Sequence, residues 1–222
     1  APFQISTLPN FGCGTNINLT LTVFSASHGD FAFPVVLTSG EQGNTPARYD
    51  NTAVTNIPDV GAIESTNLVA GFVGPITKAA VSLYLTHTFD ADLSISLINP
   101  DGVSIDLSSG NGGSDDDYGV NCAPDASRTT FDDSAAAAIT AGAAPFVGLF
   151  RPEVPLTAFN GGTANGNWRL RITDANGGSL GALRCWSLFL YPPVCAPGSG
   201  YCLSCPGVFS NSITVGDPAF TN

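Results

Sequence analysis

Alternating apolar and polar residues recur along the chain and predict β-strands. Every second residue of 17–24 is apolar, and the same period of two occurs at 80–85 and 93–98. This spacing places the apolar side chains of a strand on one face, which can then be buried. The run 31–37 is also apolar, but Pro34 within it indicates an edge strand or a bulge.

The segments between these strands have the chemistry of turns. Residues 99–102, Asn-Pro-Asp-Gly, separate one strand from another apolar alternation at 103–107. Because proline presets φ and Asp-Gly tolerates positive φ, the two strands are predicted to form a hairpin. Two further strands, 168–173 and 183–191, flank a second turn at 174–178. With Gly 25 and Pro 16 in 222 residues, the chain is predicted to be all-β with little helix.

The turn residues divide the chain into three parts. Residues 1–55 form an N-terminal β segment, an incomplete sandwich, and residues 56–191 carry the regular strands. Residues 192–222 are a cysteine-rich tail that ends in a possible strand at 212–215 without a local partner. Within the middle part, 110–166 is too long for an ordinary loop, so we expect it to be functional, ordered by calcium or tethered by a disulfide.

Charge and hydropathy restrict the classes of partner. Lys+Arg 7 against Asp+Glu 18 gives a net charge of -11, which repels a polyanion and argues against nucleic-acid binding. No apolar run of about 18 residues occurs, so no membrane span is predicted. The sequence begins at Ala1, contains no Met and has no charged-then-apolar leader, which favours a mature form or a piece of a longer protein.

Six cysteines indicate an oxidising compartment. An even number fits a set of disulfides, and disulfides persist in extracellular or cell-surface proteins. Cys195, Cys202 and Cys205 also resemble a zinc-binding run, but they lack a nearby His or a fourth Cys. Disulfides are therefore favoured over zinc.

Acidic residues crowd the region 110–166 and predict a metal site. The candidate ligands are Asp115, Asp116, Asp117, Asp132 and Asp133. Carboxylate oxygens, together with Asn and backbone carbonyl oxygens, are the hard ligands that calcium takes. An ion would order the loop and neutralise the repulsion between the acids, so calcium is the predicted cofactor. The alternative is a solvated acidic loop that binds no metal.

Neither histidine of the sequence lies within a catalytic motif. A hydrolytic triad needs a histidine, and His28 and His87 are the two available. We expect His87 to be a hydrogen-bonded structural residue and the protein not to be an enzyme. Trp168 and Trp186 could form a stacking platform for sugar, but they lie in alternating strands, so burial in the core is favoured and carbohydrate binding is left open.

Several motifs follow one another in a fixed order over residues 56–191. Residues 85–93 read Leu-Thr-His-Thr-Phe-Asp-Ala-Asp-Leu. The later motifs are Asn-Pro-Asp-Gly at 99–102, Thr-Thr-Phe-Asp-Asp at 129–133, Phe-Arg-Pro-Glu at 150–153, Asn-Gly-Asn-Trp at 165–168 and Leu-Gly-Ala-Leu at 180–183. Together they resemble the P domain that accompanies subtilisin-like proprotein convertases and many bacterial extracellular proteins.

The resemblance implies a jelly-roll-like β-sandwich that stabilises and modulates a catalytic domain without taking part in hydrolysis. No part of the chain resembles the subtilisin-like catalytic domain itself. The sequence departs from the family pattern at Ala91, where glycine is frequent, and in the extra stretch 121–127.

Cysteines are expected to tether the long loop of the P-domain-like part. Cys122 lies in that loop and Cys185 in the last strand, so we predict a bridge between them. The remaining cysteines should then form two bridges, at least one of which ties the N-terminal segment to the tail. They are Cys13, Cys195, Cys202 and Cys205.

Two functions are consistent with these features. The first is a calcium-stabilised, non-catalytic module of a larger secreted or surface protein, with other protein domains as partners. The second is a structural subunit of an extracellular fibre or surface assembly, in which copies of the chain exchange strands between 17–24 and 212–215. A monomeric mass favours the first, and multimers or filaments favour the second.

Overall fold

The computed structural model describes residues 16–24, 29–38 and 40–194. Its strands are β1 Asn16–Val23, β2 Phe31–Thr38, β3 Glu41–Gln42, β4 Ala47–Asn51, β5 Thr55–Ile57, β6 Gly61–Val69, β7 Lys78–His87, β8 Leu93–Ile98, β9 Ser104–Ser109, β10 Thr129–Phe131, β11 Ala137–Ala138, β12 Gly148–Arg151, β13 Gly166–Asp174, β14 Gly181–Tyr191 and β15 Pro193–Val194. Short 3-10 turns lie at Asp90–Asp92, Asp125–Ser127, Ile139–Ala141 and Leu156–Phe159. The chain divides into two compact units: Glu41–Val194 is one, and β1 and β2 belong to the other.

The hairpin of β1 and β2 is antiparallel. The two strands pair from Asn16 opposite Thr38 to Val23 opposite Phe31. This pairing confirms the strands predicted at 17–24 and 31–37 and gives each a neighbour. The predicted strand at 212–215 lies outside the residues that the structure describes.

Residues 41–194 fold into a β-sandwich, which confirms the predicted all-β class. The larger sheet has the order β11-β12-β10-β7-β14-β4, with β5 also paired to β14, and the smaller sheet has the order β6-β13-β8-β9. Both sheets contribute to one apolar core, for example Leu83 of β7 and Leu188 of β14 from the larger sheet, and Ile95 of β8 and Leu170 of β13 from the smaller. Burial of these side chains is the main favourable contribution to folding.

The long strand β14 organises the larger sheet. It pairs with β7 on one edge, and on the other it pairs with β5 through 181–183 and with β4 through 186–190. β4 lies within residues 1–55, which the sequence analysis assigned to a separate N-terminal segment. The sandwich unit therefore begins before residue 56. In addition, β3 pairs with β15, which brings the first residues of this unit beside its last.

The hairpin of β8 and β9 has the turn that the sequence predicts. Gly102 N donates to Asn99 O at 3.0 Å, and Asn99 N donates to Val103 O at 3.0 Å. Gly102 has a φ of 85°, a left-handed conformation that favours glycine. The local turn chemistry thus sets the register of this hairpin.

β6 closes one edge of the smaller sheet, and the sequence analysis did not identify it. Burial alternates along the strand, but its inward residues include Ser65 and Asn67. Ser65 Oγ accepts a hydrogen bond from Trp186 Nε1 at 2.9 Å, and Asn67 Nδ2 donates to Tyr49 O at 3.0 Å. Because polar residues are satisfied inside the core, the strand lacks a clear apolar period of two.

Helix is confined to the 3-10 turns in the part of the chain that the structure describes, so the predicted scarcity of helix is confirmed. None of these segments is long and apolar enough to cross a membrane. The fold of residues 41–194 instead presents loops at both ends of its strands, and one of these loop clusters is rich in carboxylates.

Candidate functional site

The candidate site is the junction of the 3-10 turn Asp90–Asp92 with the loop 110–118. Asp90 N donates to Asp115 O at 3.0 Å, and Tyr118 pairs with β7 through two backbone hydrogen bonds of 3.0 Å. These bonds fold the loop over the end of β7. The side chain of Asp90 lies beneath the loop and is fully buried.

Only one of the two oxygens of the Asp90 carboxyl group has a hydrogen-bond partner. Its Oδ1 accepts a hydrogen bond from Asp117 N at 3.1 Å. Its Oδ2 is buried and has no hydrogen-bond partner. Burial raises the pKa of Asp90 to about 7, and the neighbouring carboxylates of the loop add to the effect because their negative charge opposes ionisation.

Three of the predicted metal ligands lie on this loop. Asp115 and Asp116 are exposed, and Asp117 is half-buried. Asp117 Oδ1 accepts a hydrogen bond from His87 N at 2.9 Å, and Asp117 itself has a φ of 76°. The structure thus joins this part of the predicted set to Asp90, which the sequence analysis did not select.

The other two predicted ligands have partners within the protein. Asp132 forms an ion pair with Lys78 at 2.8 Å and accepts a hydrogen bond from Ser134 Oγ at 2.6 Å. Burial favours the neutral acid, but these partners outweigh it and hold the pKa of Asp132 below its usual range. Asp133 accepts hydrogen bonds of 2.9 and 2.8 Å from two backbone N–H groups at the start of the 3-10 turn Leu156–Phe159.

The two groups of acids lie at opposite ends of β7. Lys78, the partner of Asp132, is the first residue of this strand, and His87, which is bonded to Asp117, is the last. At about 3.3 Å per residue, the two ends are roughly 30 Å apart. Within residues 16–24, 29–38 and 40–194, no three Asp, Glu, His or Cys side chains are grouped closely enough to hold a metal ion. The five predicted ligands therefore do not form one site.

His87 is a hydrogen-bonded structural residue, as predicted. Its ring is buried, with Nδ1 2.9 Å from Phe89 O and Nε2 3.2 Å from Asp174 Oδ2. Both ring nitrogens are engaged, and the enclosed imidazole offers no access to a substrate. His28 lies outside the residues that the structure describes.

The predicted bridge between Cys122 and Cys185 is present, with the two Cα atoms 6.0 Å apart. It ties the long loop to β14 and so tethers the region 110–166, one of the three expectations for that region. The remaining cysteines lie outside the described residues, and their two predicted bridges stay predictions. They are Cys13, Cys195, Cys202 and Cys205.

Residues 76–190, more than half of the chain, match the family described as the proprotein convertase P-domain. The chain belongs to the P-domain family. The matched range runs from just before β7 almost to the end of β14, so it covers the strands that build most of both sheets. P domains are a non-catalytic domain family.

The P domain is similar to parts of longer proteins. Leupeptin-inactivating enzyme 1 of Streptomyces exfoliatus is 24% identical over 185 residues, which are 79% of this chain and 34% of that protein. The chain thus spans about a third of the length of this relative. Among solved structures, the serine protease of Aeromonas sobria in complex with a chaperone is 18% identical, with a TM-score of 0.39 over 79% of this chain and 36% of that one. The β-porphyranase of Bacteroides plebeius is 9% identical, with a TM-score of 0.39 over 79% and 29%.

The P domain also contains a buried cation that the sequence analysis missed. Arg128 is 5% exposed, and burial lowers the pKa of its guanidinium group. Its Nε donates to Cys122 O at 2.7 Å, and its Nη1 donates to Ser187 Oγ of β14 at 2.6 Å. Arg128 therefore attaches the loop to the sheet beside the disulfide. A signal in the sequence is its position directly before the Thr-Thr-Phe-Asp-Asp motif.

Both tryptophans lie in the core of the P domain, which confirms the favoured interpretation. Trp168 is 0% exposed and Trp186 is 1% exposed. Each indole N–H is bonded within the fold, Trp168 to Ala164 O at 2.7 Å and Trp186 to Ser65 Oγ at 2.9 Å. These rings are not available as a platform for sugar.

Gly181 provides a test of the packing around His87. Its Cα lies so close to β7 that a Cβ would be 2.3 Å from Thr86 O and 2.5 Å from His87 Cδ2. Because a backbone atom cannot move aside cheaply, we expect Gly181→Ala to lower the free energy of unfolding by about 3 kcal/mol. Thermal or urea unfolding of the purified chain measures this change.

Gly177→Ala is the matched control in the loop before β14. A Cβ at Gly177 would meet its nearest neighbours, Asp59 and Val60, at an ordinary 3.6 Å. This variant should therefore stay within about 0.5 kcal/mol of the parent chain. Equal stabilities of the two variants would contradict the close approach of Gly181 to β7.

Proposed function

We propose that the chain is a non-catalytic extracellular module that stabilises or positions a neighbouring domain of a larger secreted or cell-surface protein. The observation that carries this proposal is the match to the P-domain family, whose members are non-catalytic, over a sandwich with a single apolar core. The curated relative supports a larger parent, because the matched part is about a third of its length.

The ends of the sandwich unit support a role as an inserted or appended module. β3 and β15 pair with each other, and Gly43 N donates to Pro192 O at 2.9 Å. A unit whose first and last residues are adjacent can be joined to other domains without disturbing its core. The disulfide between Cys122 and Cys185 supports an extracellular or cell-surface location, because such bonds persist in oxidising compartments.

Stabilisation by calcium is part of the same proposal. The net charge of -11 and the exposed carboxylates of Asp115 and Asp116 favour a divalent cation at the loop 110–118. A cation bound by the folded state and not by the unfolded chain raises the stability of the module by mass action. The partner expected for such a module is another protein domain of the same parent.

Deletion of residues 41–194 from the longer protein that carries them is the test of this function. We expect the melting temperature of the neighbouring domain to fall by several degrees, because a docked module stabilises its partner in the same way as a bound ligand. The catalytic rate of that domain at low temperature should not change if the module takes no part in chemistry. Differential scanning calorimetry and a steady-state assay measure the two quantities.

A neighbouring domain with the same melting temperature in the presence and absence of residues 41–194 would refute the stabilising role. A chain carrying Gly177→Ala is the control for a substituted but folded module, and its neighbouring domain should keep the melting temperature of the parent protein. The alternative, a fibre subunit joined by strand exchange, depends on residues 212–215, which lie outside the described part of the chain. A ladder of multimers in native mass spectrometry would favour that alternative.

A further inference from the structure

Asp90 Oδ2 is a buried polar atom without a partner, and no other buried side-chain nitrogen or oxygen in the described residues shares this property. An ionised carboxylate oxygen needs a hydrogen-bond donor or a cation, and a protonated one needs an acceptor for its proton. The polypeptide supplies neither at Oδ2. Because an unsatisfied buried polar group destabilises a fold, a species outside the polypeptide is expected at this atom.

The groups around Asp90 that could serve as partners are engaged elsewhere. The hydroxyl of Tyr118 is 2.9 Å from Ser108 Oγ, and the ring nitrogens of His87 are bonded to Phe89 O and Asp174. In the part of the chain that the structure describes, no lysine or arginine forms an ion pair with Asp90. The negative charge of Asp90 is therefore not compensated by a side chain.

The loop is shaped to lie close over the Asp90 carboxyl group. Gly112 has a φ of +91°, and a Cβ at this position would be 2.7 Å from Asp90 Cβ and 3.2 Å from Oδ2. Glycine is thus required both by the backbone conformation and by the space. The ring of Phe146 lies on the same side, 3.1 Å from the position of that Cβ. The close approach brings backbone carbonyl oxygens of the loop to the end of β7.

Oxygen ligands for a cation are concentrated at this junction. Gly113 O and Asp115 O each accept one backbone hydrogen bond from the turn at Asp90–Asp92, and a carbonyl oxygen has two lone pairs. Asp117 uses Oδ1 to accept the N–H of His87, and the carboxylates of Asp115 and Asp116 are exposed on the same loop. Mixed carboxylate, carbonyl and water oxygens are the ligand set that calcium accepts in irregular geometry.

We propose that Asp90 is the buried ligand of a calcium-type divalent cation site whose other ligands are loop oxygens of residues 112–117 and water. The site explains why an unpaired carboxylate is held beneath an acidic loop, since the cation neutralises both. A water molecule could bond to Oδ2, but it would leave the repulsion between Asp90 and the loop acids in place. The inference rests on the calcium stabilisation proposed above and not on the accessory role.

The test compares wild type with Asp90→Asn near neutral pH, in chelator and in millimolar calcium. Asparagine keeps Oδ1 as the acceptor for Asp117 N and removes the charge. Calcium should raise the melting temperature of wild type by several degrees and that of Asp90→Asn by much less. Isothermal titration calorimetry should show an affinity loss of more than about 100-fold, because even groups that only orient metal ligands are worth about 10- to 100-fold.

Two further variants make the comparison specific. Asp132→Asn, at the opposite end of β7, should keep the full response to calcium. The double variant Asp115→Asn/Asp116→Asn changes two exposed side chains and so preserves the fold, and it should weaken calcium binding by about tenfold. In chelator, Asp90→Asn should be at least as stable as wild type, because it no longer buries an uncompensated charge.

Each result has one meaning. If wild type does not respond to calcium, the calcium stabilisation and the Asp90 site are both overturned, and the accessory role is untouched. If wild type and Asp90→Asn respond equally, the site is overturned and calcium stabilisation stands. An unchanged calcium affinity in the Asp115→Asn/Asp116→Asn variant overturns the contribution of these two loop carboxylates to the site, even where Asp90→Asn fails to fold.

Discussion

Replacement of both Cys122 and Cys185 with alanine is expected to lower the free energy of unfolding of the sandwich by about 4 kcal/mol. The bridge closes a loop with a sequence separation of 63 residues. In the chain-entropy description, a crosslink restricts the unfolded ensemble, and loops between about 15 and 100 residues correspond to roughly 3 to 5 kcal/mol. A loss of this size is a large part of the stability of an ordinary domain.

Tryptophan fluorescence during urea unfolding measures this loss of stability in the sandwich unit. The chain has 2 Trp residues, Trp168 in β13 and Trp186 in β14, so the signal reports on the sandwich unit. Substitution is preferable to a reductant, because a reductant would also cleave the bridges that are predicted for the other cysteines. The dependence of unfolding free energy on urea should also become steeper, since the unfolded chain without the crosslink exposes more surface.

Val120→Ala is the control for a change in the same loop that leaves the bridge intact. Val120 is 52% exposed, so this variant should remain within about 0.5 kcal/mol of wild type. An unfolding midpoint of the double cysteine variant equal to that of wild type would mean that Arg128 alone holds the loop on β14. The bonds from Arg128 to Cys122 O and Ser187 would then carry the attachment that we assign to the disulfide.

The β8–β9 hairpin could be predicted from sequence because all of its determinants are local. The apolar period of two in each strand and the turn at 99–102 occupy neighbouring positions, and the observed bonds between Asn99, Gly102 and Val103 follow from that chemistry. β13 and the start of β14 could also be predicted from local sequence, because their apolar positions face the core. Local patterns are reliable where the buried face of a strand is apolar.

β4 and β6 show where local patterns fail. β6 turns Ser65 and Asn67 toward the core, and their hydrogen-bond partners come from β14 and β4. β4 joins the larger sheet by pairing with the edge of β14, which lies more than 130 residues later in the chain. Asp50, for example, is paired with Ser187. Neither the polar partners nor the distant edge can be recognised from the residues of the strand itself.

The candidate site was only partly predictable for the same reason. The acidic run at 115–117 is visible in sequence, whereas Asp90 resembles an ordinary acid at a strand end. Its burial depends on Gly112, a residue of the distant loop that packs over it. The sequence analysis grouped Asp132 and Asp133 with the acidic run because they are close to it in sequence. In the structure, Asp132 forms an ion pair with Lys78, which lies at the opposite end of β7.

Trp168→Ala is expected to lower the free energy of unfolding by about 4 kcal/mol. Trp168 is fully buried, its Nε1 donates to Ala164 O at 2.7 Å, and its ring meets that of Phe159 edge to face at 5.0 Å between centroids. Truncation removes apolar burial and leaves a cavity, and such changes typically cost about 3 to 5 kcal/mol for tryptophan. The lost edge-to-face contact contributes about 1 kcal/mol within this range.

Leu68→Ala is the matched control on the neighbouring strand β6. Leu68 is paired with Asn167, next to Trp168, but its side chain is 66% exposed, so its truncation should change stability by less than about 0.5 kcal/mol. The fluorescence of Trp186 reports unfolding in both variants. If Trp168→Ala were as stable as Leu68→Ala, the indole would not be a core residue, and a surface role such as stacking on a ligand would have to be reconsidered. A large loss in Trp168→Ala alone ties the Asn-Gly-Asn-Trp motif of the P domain to packing of its core.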